Sequence, residues 1–270
     1  SISDMSQTEL KKLIGFHLMY YAFDWNKLVN FRPLEGDGAT EEQKAVLAGY
    51  YYKYRTKSSD AITREYNPAL NDSVSVYHLE RFLPVFSYKL FETKGIDAKY
   101  NYEYFYPGSV WTGGNNGFNV SNASVQNSEN VITDNGYLYF INQVLEPLET
   151  IYTELKNHYE DYSLFFDLYN SYSVYMLDNE LTKNFGNGEN LYLHSHGSMP
   201  NIAYEWPTSS FSAIGELSSR CYNIFAPSND ALNTFFDEFW KVGGYTSLAS
   251  LDPLILRYFL MQSFANVTNM

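Results

Sequence analysis

Tyr222-Asn-Ile-Phe-Ala-Pro-Ser-Asn-Asp-Ala-Leu232 decides how the rest of the chain is read. A short apolar run ends at Pro227, and Ser228 then stands where its hydroxyl can accept from an exposed first-turn N–H. Asp230 places negative charge at the positive end of the helix that follows. Ala231, Leu232, Phe235, Phe236 and Phe239 recur at helical spacing, so one face of that helix is apolar. The stretch reads as strand, turn and capped helix.

A second, independent stretch is Asn135-Gly-Tyr-Leu-Tyr-Phe-Ile-Asn-Gln-Val-Leu-Glu-Pro147. Leu138, Phe140 and Asn142 face one way along it, Tyr137, Tyr139 and Ile141 the other. The first stretch resembles the F-A-P-T-x-x-A-F signature of fasciclin-like domains, and the second resembles that family's closing N-G-x-I-H-x-I-D-x-V-L-x-P strand. Gly117 to Val125 alternates, with Phe118, Val120 and Val125 inward, and is similar to the family's V-x-V-N-N-A-x-V strand. Phe16-His17-Leu18 resembles its Y-H-V segment, in which the histidine is structural. Two departures stand out: Tyr139 and Asn142 occupy the places of the family's histidine and aspartate.

The motifs come in reversed order. The histidine segment and closing strand precede the opening signature, so the expected organisation is two incomplete modules. Residues 1–147 would be the C-terminal part of one fasciclin-like domain, with an insertion at about 32–106. Residues 148–270 would be the N-terminal part of a second, with an insertion at about 184–219. A circularly permuted single domain is the alternative. The fold class expected is α+β: a fasciclin-like β-wedge or sandwich in each module, surrounded by helices.

Between the motifs, local signals set further expectations. Ser6-Gln-Thr-Glu9 is a capping box, and Leu10, Leu13, Ile14, His17, Leu18 and Tyr21 follow on one helical face. His17 on that face reads as a satisfied core histidine. Thr40-Glu-Glu-Gln43 opens another helix through Val46, Leu47 and Tyr50-Tyr-Tyr52. Residues 56–74 are polar, with turn signals at Asn67-Pro68 and Asn71-Asp72. Val74 to Leu90 reads as a helix that Pro84 kinks or breaks. Alternation over 100–106 suggests a strand or extended loop. Pro147 suits the first position of a helix bearing Leu148, Ile151, Tyr152, Leu155, Tyr159 and Tyr162. Asn184 to Ser219 reads as a long loop, and Asp252-Pro253 as cap and first residue of a last helix.

Composition narrows the functional classes. A net charge of −13 in 270 residues opposes binding to phosphate backbones, so no nucleic-acid partner is expected. The lone Cys221 precludes an intramolecular disulfide. No apolar run approaches ~18 residues, so membrane attachment would come only through an anchor outside this chain. Tyr outnumbers Phe, 26 to 19, which suits surfaces where a ring packs while its hydroxyl meets water or a ligand.

Three groups of residues are candidate sites. His194-Ser-His196 could chelate a metal from one side of a strand, but no third ligand is patterned nearby and the surrounding Gly, Ser and Pro suggest an exposed loop. Ser195 lacks the glycines of a nucleophile elbow. Asn119, Asn122 and Asn266 match the N-glycosylation triplet, and Asp72-Ser73-Val74 looks like a short O-glycan acceptor. Tyr102, Tyr104, Tyr106 and Trp111, with Tyr204 and Trp206, could stack on sugar rings or dock a protein, or equally pack an insertion helix.

Fasciclin-like domains are generally extracellular adhesion or ligand-binding modules. Long insertions, abundant Tyr and no disulfide look like surface lipoproteins of Bacteroides-like bacteria, some of which accompany SusC/SusD-type nutrient importers. The resemblance therefore implies a non-enzymatic binding module at the extracellular or outer-membrane surface, without cofactor, metal or catalytic residue. It would hold a surface protein complex or a polysaccharide. The rival expectation is a metal-dependent or serine hydrolase using His194 and His196.

Overall fold

The structure is a computed structural model and describes residues 2–30, 52–59, 62–78, 80–114, 117–126, 130–203 and 222–266. The helix expected beyond Thr40, together with Tyr204, Trp206 and Cys221, lies outside those residues. The architecture is mixed α+β, with helices distributed around several small sheets.

The first core forms where the capping box places it. Ser6 and Glu9 exchange the two expected bonds and open α1 (Gln7–Phe16). Gly15 lets α1 lie directly on β1 (Tyr52–Ser59), because a Cβ there would stand 2.7 Å from the Lys57 carbonyl oxygen. Ser58 Oγ donates to Lys12 O across the same contact. β1 pairs antiparallel with β4 (Glu80–Ser87), which continues to β5 (Phe118–Val120) and β6 (Ala123–Ser124). Phe16, Tyr54, Leu83, Val85, Phe118 and Leu145 are buried between this sheet, α1 and α2 (Trp25–Asn30).

His17 is exposed but structural. Its Nδ1–H donates to Leu13 O at 2.9 Å and its Nε2 accepts from Leu145 N–H at 3.0 Å, so it ties the end of α1 to the stretch 128 residues downstream. Within the expected closing strand, only β8 (Gly136–Leu138) is regular, forming a hairpin with β7 (Val131–Thr133). Ile141 then bridges Val125, and Tyr139 and Ile141 pack on the core while Phe140 is exposed.

The span expected to be helical over Val74 to Leu90 is instead two strands, β3 (Asp72–Val76) and β4. Pro84 lies inside β4, where its carbonyl accepts Ser121 N–H at 2.8 Å. Helix resumes only at α3 (Tyr88–Lys94), capped by Ser87. The extended segment expected over 100–106 is likewise corrected to a helix, α4 (Ala98–Phe105). Asp97 caps it through Tyr100 N–H, and the alternating tyrosines include a pair four apart, Tyr102 and Tyr106, that both turn inward.

The helix expected from Pro147 starts at Thr150, whose side chain caps α5 (Ile151–Asn157). It breaks at His158 and α6 (Tyr159–Asn170) follows. Within residues 184–203, which read as loop, Leu191–Ser195 forms strand β10 after α7 (Asn179–Phe185). β10 joins a four-stranded sheet of order β2-β3-β10-β9, with β2 (Thr63–Asn67) and β9 (Val174–Leu177) at its edges. The β2–β3 hairpin closes at the expected Asn67-Pro68 and Asn71-Asp72 signals, with Asn71 at φ 50°. The β3–β10 pairing is parallel and carries the sheet across the 147/148 boundary, so the expected insertion regions meet in one sheet.

Beyond β10, the signature takes the form expected. β11 (Tyr222–Ile224) leads into α8 (Asn229–Phe235), and Ser228 Oγ accepts Ala231 N–H. A π-turn follows over Phe236–Trp240. Asp252 caps α9 (Pro253–Gln262), and β12 (Phe264–Asn266) pairs with β11. Phe165, Phe166, Tyr169, Met199, Ile202 and Leu260 form the second core.

Candidate functional site

One face of the β2-β3-β10-β9 sheet gathers chemistry-bearing side chains from β2, β9 and β10. Pairing sets that face: Glu65 opposes Val74, Val76 opposes Tyr192, and His194 opposes Tyr175. Alternation then puts Glu65, His194, Tyr175 and Ser173 on the same side. α5 and α6 contribute Tyr152, Tyr169 and Asn170 to the same cluster.

His194 is at its centre and is buried, 1% exposed. Its Nδ1 lies 3.0 Å from Glu65 Oε2 and its Nε2 2.9 Å from Ser173 Oγ. The carboxylate only accepts, so Nδ1 carries the proton; in the neutral ring Nε2 presents its lone pair to the Ser173 hydroxyl. Tyr175 stacks on the imidazole at 4.6 Å and 14°, and Tyr152 meets it edge-on at 5.4 Å. Tyr175 Oη also donates to Glu65 Oε2, and Thr63 Oγ1 donates to Glu65 Oε1 at 3.1 Å. His78 Nε2 stands 3.7 Å from the same carboxylate.

Burial alone would raise the Glu65 pKa, but the hydrogen bond and charge of His194, the charge of His78 and the Thr63 bond outweigh it. The carboxyl is held at about 2, an anion at any ordinary pH. His196 has the opposite character. Desolvation, then repulsion from His194, lowers its imidazole to about 3. It stacks on Tyr169 at 4.1 Å and its Nε2 meets Asn170 Oδ1 at 3.2 Å, leaving Nδ1 buried without a hydrogen-bond partner. His194 and His196 are thus packed inside the fold, correcting the exposed loop expected for them.

The two imidazoles do not converge on a metal-like set. Among the described residues, no group of three or more His, Cys, Asp or Glu is placed to hold an ion. Sequence reasoning missed Glu65 and Ser173 altogether. They lie 129 and 21 residues from His194 in sequence; the β2–β3 hairpin with the β3–β10 pairing brings Glu65 to it, and the β9–β10 pairing brings Ser173.

The aromatic candidates separate by burial. Tyr102 is fully buried and donates to Ser121 O at 2.9 Å; Tyr106 is buried beside it. Trp111 packs edge-on against Phe91 at 5.5 Å and contacts Tyr102 at 5.8 Å. Tyr102 and Tyr106 form a third core cluster with Phe86 and Phe91, and Trp111 packs partly buried against it, so the two tyrosines offer no face to a sugar, which corrects the platform expected of them. Tyr104 alone of that group is well exposed. Asn119 is buried and bonded to Thr112 and Val110, which excludes a glycan on it in the folded chain.

A different surface does expose apolar side chains. Val242 is 81% exposed, Leu254 74%, Phe225 71% and Tyr258 69%, all on the segment that carries the signature, the π-turn and α9. Among the described residues, no helix is long and apolar enough to cross a membrane. Comparison with family models, curated proteins and solved structures returned no match.

Proposed function

We propose that this chain is a fasciclin-like binding module displayed at a bacterial outer-membrane surface, where it holds a protein partner, such as a component of a SusC/SusD-type nutrient importer. The exposed apolar run from Phe225 to Tyr258 carries this reading. Apolar side chains left this open to water are what a docking partner would cover. Val242 and Leu254, the two most exposed of the four, are aliphatic and suit a protein partner, whereas the rings of Phe225 and Tyr258 suit protein or sugar alike. Burial of Tyr102 and Tyr106 takes two rings out of the platform that a glycan would have used.

Two further features support the fasciclin-like reading itself. The two motif stretches pack in separate hydrophobic cores, as two modules would require. His17 serves a structural role at the end of α1, as the resemblance implies for that residue.

The test is a photo-crosslinking residue placed at position 242 of the chain displayed on cells of its source, with a second at the exposed control position Lys11 on α1. A discrete protein adduct at 242 only, abolished by Leu254→Asp, is the expected result. No adduct at 242, or retention of a polysaccharide on a glycan array by that same variant, would overturn the protein-docking role.

A further inference from the structure

We propose that Ser173, His194 and Glu65 form a nucleophilic relay able to transfer an acyl group from a carboxylic ester. The geometry has the three links such chemistry needs: an acid on Nδ1 at 3.0 Å, a hydroxyl on Nε2 at 2.9 Å, and a ring clamped by Tyr175. The acid is itself oriented, since Thr63 and Tyr175 hold its two oxygens. Ser173 also approaches Asn170 Oδ1, at the longer distance of 3.4 Å, so the imidazole is its nearer partner.

Access matters as much as alignment. His194 is closed off, whereas Ser173 is partly exposed and immediately precedes β9, an edge strand. Leu177, on the same side of that strand as Ser173 and Tyr175, projects into solvent. An ester with an apolar acyl group suits such a border better than a charged one.

The reaction balances without a cofactor. As Ser173 Oγ bonds to the ester carbonyl carbon, its proton passes to His194 Nε2, and Glu65 stabilises the resulting imidazolium. The C–O bond to the alcohol breaks, and the alcohol leaves with the proton from Nε2. Water then attacks the acyl-serine, its proton returning through His194 to Ser173 Oγ, and the carboxylic acid departs. The relay shares no residue with the exposed run at 225–258, so it stands or falls separately from the docking role.

A fluorophosphonate probe tests it directly, because a relayed serine displaces fluoride and keeps the phosphonyl group. One adduct per chain is expected, mapped to Ser173 by peptide mass spectrometry and absent in Ser173→Ala. His194→Gln and Glu65→Gln should slow labelling on the order of a hundredfold. Hydrolysis of p-nitrophenyl butyrate should follow the same order. An unlabelled Ser173 in the folded wild-type chain, or an adduct that survives Ser173→Ala, would overturn the proposal whatever the folding of the other variants.

Discussion

His196 and Glu65 respond to acid in the same direction for different reasons. An unfolded chain protonates histidine near ~6.5, whereas burial and His194 delay this in the folded state to about 3. The unfolded state therefore binds more protons throughout that interval, and stability falls as pH drops through it. Glu65, held at about 2 by His194, His78 and Thr63 against its own burial, contributes stability above ~4.5 that is lost as pH falls towards 2. Thermal melts from pH 7.5 to pH 4 should show a steadily falling Tm. His196→Phe, which keeps a ring against Tyr169, should flatten the slope between pH 6.5 and 4.5 while leaving the steeper fall below it. A slope unchanged in that variant would show that another group titrates there. At the same scale, Tyr102→Phe deletes one buried donor to Ser121 O and should cost about 1 kcal/mol in urea unfolding.

Among the elements, the joint between α6 and α8 is concentrated in one side chain. Asn229 Oδ1 accepts Leu164 N–H at 2.9 Å, while its Nδ2 donates to Glu160 O and Ser163 Oγ. Asn229→Ala should therefore cost about 2 kcal/mol, more than Ser228→Ala, which removes a single cap bond worth about 1 kcal/mol. Denaturant midpoints of the two variants check that order. Caps were the elements most legible in the sequence: Ser6, Ser228 and Asp252 act where local spacing put them, because capping depends on residues within one turn. Strands β3, β4 and β10 were not legible. Each has a partner far away in the chain, as β3 has β10, and β4 reads locally as an apolar run that fits helix or strand equally well. The tyrosines of α4 misled for a related reason, since residues at 100, 102, 104 and 106 satisfy a period of two while Tyr102 and Tyr106 also satisfy a helical turn.

For the whole molecule, the exposed apolar run and the buried relay make separate demands. Val242→Asp with Leu254→Asp adds charge only to solvent-facing positions, so unfolding free energy should move by less than ~0.5 kcal/mol while partner capture is lost. A large loss of stability would mean that those side chains are packed rather than displayed. The histidines were visible in the sequence as a pair, yet their acid and hydroxyl were not, because Glu65 and Ser173 reach them through sheet pairing rather than spacing.

The parallel contact of β3 with β10 has a mechanical consequence. It couples Ser75 to Leu191 and Val76 to Tyr192, extended by Tyr77 N–H on Tyr192 O. If β3 is tugged from its upstream end and β10 from its downstream end, the two strands are loaded in shear, and their rungs share the load instead of opening one after another like a zip. A molecule gripped on both sides would yield there only when several hydrogen bonds rupture together.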